Sequence, residues 1–409
     1  MKRAKGMRDF LPPQMMQREK IFSTIIDTYR EFGFQPLETP ALELLSTLKA
    51  KSGDEVAGQL FEIKDTKPEL AMRFDLTVPL SRVAANSSFP KPFKRYQIGP
   101  VWRREEPQKG RFREFYQADA DIVGSGSMRA EAELLEMATI ALRRVGLKEF
   151  KVLLNNRKIL NSILDHFNIS KKRNDVFRTL DKIDKIGYSS VYEQLKPIFA
   201  ENSEQALSLF DMRGSNDEKL DALEKYAPEG VAEVRAIQEL FPDFVFEPSL
   251  VRGLGYYSGT VFEFKGQGDY TGSFAGGGRY DGLLELYGQG APAVGISLGV
   301  ERILVLLGED AQKKTYTQVF VATLPGTYKM GANIAKTLRK NKIASETDLI
   351  GRTLKKQLDY ARSLLIPWVL IVGKKELAEN KITLRNMGTG EEEKIPLSLA
   401  IKKICQLKN

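Results

Sequence analysis

The stretch Phe93 to Gly124, FKRYQIGPVWRREEPQKGRFREFYQADADIVG, decides how the rest of the chain is read. Phe93 to Val123 divides into a strand, a polar loop at Glu106-Pro107-Gln108-Lys109-Gly110 and a second strand, an antiparallel hairpin with a longer loop. Side chains alternate along a strand, so Arg113, Phe115, Gln117, Asp119 and Asp121 share one face of the second strand, and Phe112, Glu114, Tyr116, Ala118 and Ala120 the other. On the first strand Val101, Arg103 and Glu105 align in the same way. A cation, an aromatic ring, an amide and two carboxylates in register are unusual for a core. Such a face is either a wet, ion-paired surface or a site for a nucleotide with an amine-bearing ligand beside it.

Upstream, Gln14 to Phe32 places Met15, Ile21, Phe22, Ile25, Ile26, Tyr29 and Phe32 close to the spacing of a helix with one buried face, opened by Pro12-Pro13 and closed by Gly33. The prolines of Phe34 to Pro40 put that extended segment at a sheet edge or an interface. Downstream, Arg157 to Leu240 has helical periodicity and little glycine, as in a helical insertion, taken as about 157–245. Glycine then crowds Val251 to Gly299 around Gly276-Gly277-Gly278. From Tyr316 onward, strand-like runs (Gln318 to Thr323, Trp368 to Val372) alternate with helix-like ones (Met330 to Lys340, Leu354 to Leu365), which suggests a small α/β domain. The polar run Gly308 to Lys314 is the expected boundary, dividing the chain into 1–316 and 317–409.

The 409 residues are too many for one ordinary core, and 42% hydrophobic with 28% charged residues describes a globular protein. The apolar run Leu364 to Val372 is too short to span a bilayer, so no membrane segment is expected. The basic start Met1 to Gly6 leads into Arg8-Asp9 instead of an apolar run, so no secretory signal is read and a cytoplasmic location is expected. One histidine, His166, and one cysteine, Cys405, cannot form a structural Cys/His zinc site, and no zinc is expected. His166 lies among Ile159, Leu160, Ile163, Leu164 and Phe167 on what reads as an amphipathic helix, a structural position. Chemistry therefore falls to Arg, Asp, Glu, Gln and Tyr.

No phosphate-binding loop of the G-x-x-x-x-G-K-[ST] type occurs, and the G-x-G-x-x-A match from Gly288 to Ala293 contains Pro292 and follows a helix-like run. Any bound ATP must be held by arginines. The segment 317–409 contains 17 of the 62 Lys and Arg but 8 of the 53 Asp and Glu, leaving 45 of each before it. The whole net charge of +9 thus lies in the last 93 residues. That segment is either a module that holds a polyanion or a solvated lysine-rich surface.

Phe93 to Gly124 resembles motif 2 of a class II aminoacyl-tRNA synthetase, in the histidyl-tRNA synthetase version. Gly6-Met7-Arg8-Asp9, with the following helix and Pro40, is similar to motif 1 and its lead-in, and Ala293 to Leu307 (AVGISLGVERILVLL) is similar to motif 3. Leu250 to Glu263 (LVRGLGYYSGTVFE) and Ala275 to Gly282 (AGGGRYDG) resemble the two histidine-specific signatures of that family. The matches run through nearly the whole chain in order. The resemblance implies an α+β fold: a six-stranded antiparallel sheet with flanking helices, dimerising through motif 1, a helical insertion, and a C-terminal α/β anticodon-binding domain. It also implies ATP as a substrate accompanied by Mg2+, with L-histidine and tRNA(His) as partners in a homodimer.

By that resemblance Arg103 holds the α-phosphate, Glu105 lies by the adenine and Phe115 stacks on it, while Arg111, Arg113 and Arg302 attend the outer phosphates. Asp75, Thr77 and Gln117 would bind the α-ammonium group of histidine, and Asp121, Tyr257 and Tyr280, with Tyr256 adjacent, its imidazole. Arg252, beside Gly253 and Gly255, would sit between the histidine carboxylate and the α-phosphate; a plain ion pair is the simpler role open to it. The family usually has Asp after Arg-Gly-Leu, where this chain has Gly255. Besides the ligase, two alternatives are a non-catalytic paralogue of the ATP phosphoribosyltransferase regulatory subunit type, which typically lacks the anticodon domain, and an RNA-binding regulator that has lost the motif arginines.

Overall fold

The structure is a computed structural model that describes residues 2–50, 58–107, 110–252, 255–267, 272–308 and 314–406. Gln108 and Lys109 of the hairpin loop, and Gly253 and Leu254 beside Arg252, lie outside the described residues. The chain forms two compact units, one of Met1–Asp9 with Arg18–Gly308 and one of Phe10–Gln17 with Glu309–Asn409.

In the larger unit four short strands, β1 (Gln35–Pro36), β2 (Leu42–Leu44), β3 (Glu62–Ile63) and β4 (Leu70–Met72), precede the hairpin of β5 (Phe93–Trp102) and β6 (Glu114–Val123). Then follow β7 (Phe150–Asn156), β8 (Val245–Phe246), β9 (Thr260–Gly266), β10 (Ser273–Arg279) and β11 (Ala293–Gly299). The main sheet has the order β1-β5-β6-β11-β10-β9-β7-β8. Its six middle strands are antiparallel, as expected from the motifs. The expected six become eight because β1 and β8 add parallel at the two edges. Pro36 in β1 lacks an N–H to give to a further strand, which suits it to an edge.

Helix Pro12–Glu31 turns Ile21, Ile25 and Tyr29 toward the sheet, where all three are buried, and the Tyr29 hydroxyl donates to the Ala118 carbonyl at 3.0 Å. Each such apolar side chain contributes about 1.5 to 3 kcal/mol by leaving water. Helix Arg129–Val145 covers the same face. It is fixed by the buried pair of Glu131 with Arg279 of β10, whose Nε and Nη2 donate at 2.6 and 2.7 Å. Ala118, Ala120 and Ile122 of β6 thus pack against helices, and the odd-numbered side chains of β6 face the opposite way. The segment from Arg157 to Gln238 is helical, as its periodicity implies, from helix Arg157–His166 to helix Pro228–Gln238. His166 ends the first of these, exposed and edge-on to Phe167 and Tyr226.

The smaller unit is built on a five-stranded sheet. Its strands are β12 (Val319–Thr323), β13 (Ser345–Thr347), β14 (Trp368–Val372), β15 (Ile382–Asn386) and β16 (Glu392–Ile395), in the order β13-β12-β14-β15-β16. The first three are mutually parallel and the last two antiparallel, with helices Tyr328–Lys340, Leu354–Ser363 and Leu397–Gln406 supplying apolar side chains to its two cores. The two strands expected here appear within a residue of their sequence limits. Short or charged strands such as β13 and β16 carry too little alternation to be read from sequence.

Candidate functional site

Register assembles the site. On the hairpin, Arg95 pairs with Asp121, Gln97 with Asp119, Gly99 with Gln117 and Val101 with Phe115. On the other side of β6, β11 brings Gly295 beside Asp121, Ser297 beside Asp119 and Gly299 beside Gln117. The helix Val300–Leu307, which carries Arg302, follows at the Gln117 end.

The outer end is basic and aromatic. Arg103 and Glu105 were expected on the first strand, but β5 ends at Trp102, so both lie just beyond it. The backbone N–H of Arg103 still donates to the Arg113 carbonyl at 2.9 Å, which extends the pairing by one step. Arg103 Nε donates to the Phe74 carbonyl at 2.9 Å, and its guanidinium lies 5.1 Å from the centre of the Phe115 ring. Arg113 donates to the Glu105 carbonyl at 3.0 Å and faces Glu106, while Arg111 stands 3.8 Å from the Glu105 carboxylate. The lead-in turn touches the same end: a β-carbon on Gly6 would meet Arg113 Cγ at 2.6 Å, and Arg8 stacks 3.5 Å over the Phe112 ring. Arg302 Nη1 donates to the Ser273 carbonyl at the start of β10.

The inner end is a buried cluster of carboxylates, an amide and tyrosines. Asp75 Oδ1 accepts from the Val78 N–H at 3.0 Å, and Oδ2 has no hydrogen-bond partner among the described residues. Gln117 Nε2 donates to the Ser297 hydroxyl at 2.6 Å, which hydrogen-bonds Asp119 in turn, while Gln117 Oε1 and Asp119 Oδ1 find no hydrogen-bond partner among the described residues. Tyr280 donates to Asp121 Oδ1. Tyr256 packs edge-on to Tyr280, 4.9 Å from the Tyr257 ring centre and against the Thr77 side chain. Burial lifts the Asp75 carboxyl to about 6, against the Val78 N–H and Arg103. Burial lifts Asp119 to about 7, with Arg95 opposing and Asp121 adding to the rise. Burial also raises Asp121, opposed by Arg95 and Tyr280. A cluster of desolvated carboxylates with unused lone pairs suits a cationic, N–H-bearing ligand.

Arg252 lies by Tyr256 and Tyr257 and makes the ion pair that the sequence left open to it. Its Nη1 donates to Glu263 Oε1 of β9 at 2.6 Å. Burial alone would lower its pKa, yet Glu263 and the two tyrosines outweigh this and hold it firmly charged. A β-carbon at Gly276 would come within 2.5 Å of Arg252 Nη1, so the glycine run of β10 makes the space for this guanidinium. Glu263 ended a quoted signature and Asp119 lay on the recognised face, but neither was given a role from sequence. Arg95 was missed, although it shares the parity of Val101 and Arg103. Arg279, in the AGGGRYDG signature, is a structural anchor through Glu131.

An antiparallel sheet bearing a basic, aromatic end beside a carboxylate and tyrosine end, entered by the three motifs in order, defines a class II aminoacyl-tRNA synthetase. The family model described as histidyl-tRNA synthetase matches residues 6–303, and one described as anticodon binding domain matches residues 318–407. The histidine-tRNA ligase of Porphyromonas gingivalis is 37% identical, with 97% of each chain covered. A Bacillus cereus histidine-tRNA ligase is 39% identical, covering 97% of this chain and 98% of its own. The crystal structure of histidyl-tRNA synthetase from Nostoc superposes with a TM-score of 0.85 at 29% identity, over 99% of both chains. The chain belongs to the histidyl-tRNA synthetase family.

Proposed function

We propose that the protein is a histidine-tRNA ligase that forms histidyl-adenylate from L-histidine and ATP and transfers the histidyl group to the 3′ end of tRNA(His). The observation that carries the reading is the set of buried acceptors without a hydrogen-bond donor among the described residues, Asp75 Oδ2, Gln117 Oε1 and Asp121 Oδ2, beside a separate group of arginines around Phe115. An α-ammonium group offers donors to Asp75, Thr77 and Gln117. The imidazole N–H donates to Asp121, with Tyr256, Tyr257 and Tyr280 closing the pocket around the ring. Phe115 stacks on adenine next to Glu105, Arg103 holds the α-phosphate, and Arg111, Arg113 and Arg302 neutralise the outer phosphates.

A histidine carboxylate oxygen attacks the α-phosphorus, the bond to the bridging oxygen breaks, and pyrophosphate leaves. Arg252 stabilises the charge that gathers as two anions meet. A terminal ribose hydroxyl of the tRNA then attacks the carbonyl carbon, and AMP departs. Mg2+ would accompany ATP and add positive charge at the phosphates that Arg103, Arg111, Arg113 and Arg302 face; among the described residues no group of three or more His, Cys, Asp or Glu side chains could hold a metal ion by itself.

Residues 1–316 are assigned to catalysis and 317–409 to anticodon binding, where the entire net charge of +9 lies. That module and the retained motif arginines disfavour the regulatory-subunit and RNA-binding-regulator alternatives. The protein is proposed to act as a homodimer in the cytoplasm, with β1 near the shared surface; sedimentation showing only monomer at micromolar concentration would remove the dimer. No helix among the described residues is long and apolar enough to cross a membrane. Exchange of labelled pyrophosphate into ATP tests the activity. It should require histidine, and exchange that ignores histidine would overturn the reading.

A further inference from the structure

We propose that Arg95 is the positioning residue for histidine selectivity, holding Asp121 in the orientation and charge state in which its carboxylate accepts an imidazole N–H. This rests on the reading of the inner cluster as the histidine pocket. Arg95 is fully buried on β5 directly opposite Asp121. Its Nη2 lies 2.7 Å from Asp121 Oδ2 and also donates to the Leu76 carbonyl at 3.1 Å, the residue between Asp75 and Thr77. Tyr280 holds the other oxygen of Asp121. On the remaining side a β-carbon at Gly295 would lie 1.9 Å from Oδ1, so the carboxylate fits a notch that only glycine leaves open.

A buried guanidinium is costly unless it does something for its neighbours. Arg95 Nε and Nη1 have no hydrogen-bond partner among the described residues, so the residue is poorly satisfied as a structural element. Its contact with Asp121 is an ion pair without hydrogen-bond geometry, which leaves Oδ2 with lone-pair capacity for a ligand. The groups facing Asp121 are Arg95 from β5, Asp119 from β6, Asp75 before helix Thr77–Ala85 and Tyr280 after β10, while Tyr29 from helix Pro12–Glu31 feels its charge from the other face of the sheet. Among these Arg95 is the only cation, set against Asp75, Asp119 and Asp121 itself. Without it Asp121 would take up a proton more readily and turn from acceptor to donor. An imidazole N–H would then face another donor, the mismatch that a polar pocket punishes most.

The test compares the full-length parent with Arg95→Met and Arg95→Lys in histidine-dependent pyrophosphate exchange from pH 6 to 9, after circular dichroism has established folding. In Arg95→Met the KM for histidine should rise by about thirtyfold or more while the KM for ATP changes by less than about threefold. The pH below which histidine binding fails should move up by about one unit relative to the parent, a difference that cancels the titration of free histidine. Arg95→Lys, which keeps the charge, should recover much of both effects, and Arg95→Gln, uncharged but polar, takes the place of Arg95→Met if that variant does not fold. A folded uncharged variant with an unchanged KM for histidine and an unshifted profile, or with equal losses for both substrates, would overturn the role of Arg95. A parent protein without histidine-dependent exchange would instead sink the functional reading itself.

Discussion

Replacing Arg252 by alanine should separate catalysis from stability. The guanidinium donates to Glu263 at 2.6 Å, and the two side chains are only 21% and 15% exposed. A charge-assisted contact that strengthens as the histidine carboxylate approaches the α-phosphate contributes about 3 to 4 kcal/mol, so adenylate formation should fall roughly a hundred- to thousandfold. The same substitution strands Glu263, whose other oxygen keeps Lys265 at 3.9 Å. Breaking a fully buried pair costs about 3 to 5 kcal/mol; partial exposure and the remaining lysine reduce that to roughly 1 to 2 kcal/mol here. The double substitution Arg252→Ala with Glu263→Gln removes the stranded charge and should restore most of the lost melting temperature without restoring adenylation. Thermal denaturation and pyrophosphate exchange on both variants provide the readout. A stable double variant within about tenfold of the parent would refute a transition-state role and leave Arg252 as half of a structural pair.

Asp119→Asn should stabilise the ligand-free protein in a pH-dependent way. The folded protein keeps the Asp119 proton to about 7 while the unfolded chain releases it near the ordinary Asp value, so ionisation costs stability between about pH 4 and 7 and fully above. The advantage of Asn should grow from nothing near pH 4 to on the order of 4 kcal/mol at pH 8 in urea unfolding, and a pH-independent difference would contradict it. Gly255→Asp restores the carboxylate usual in the family at a position where a β-carbon would meet nothing within 4 Å. It should leave the melting temperature within about 2 °C, and a larger drop would mean that the loop is more constrained than its open surroundings imply. Removing 317–409 should spare adenylate formation, weaken tRNA charging and flatten the salt dependence of tRNA binding; a well-folded truncated protein that charges tRNA normally would exclude the segment as the RNA reader.

Much of the site's composition could be read along the chain, because a strand's period of two sorts side chains onto faces before any partner is known. That rule separated Gln117, Asp119 and Asp121 from Ala118 and Ala120, and the structure keeps them apart. The 3.6-residue period likewise gave Ile21, Ile25 and Tyr29 as a buried stripe, and chain-local composition isolated the helical segment and the basic C-terminal region. Which residues meet across strands is another matter, since register and strand order depend on segments far apart in sequence. Only the folded sheet places Arg95 against Asp121, inserts β11 between β6 and β10, and sets Glu263 beside Arg252 in space that Gly276 leaves empty. The raised carboxyl pKa values belong to the same category. Desolvation is a property of enclosure, and no stretch of this sequence encloses Asp75 or Asp119 until β5, β6 and β11 have paired.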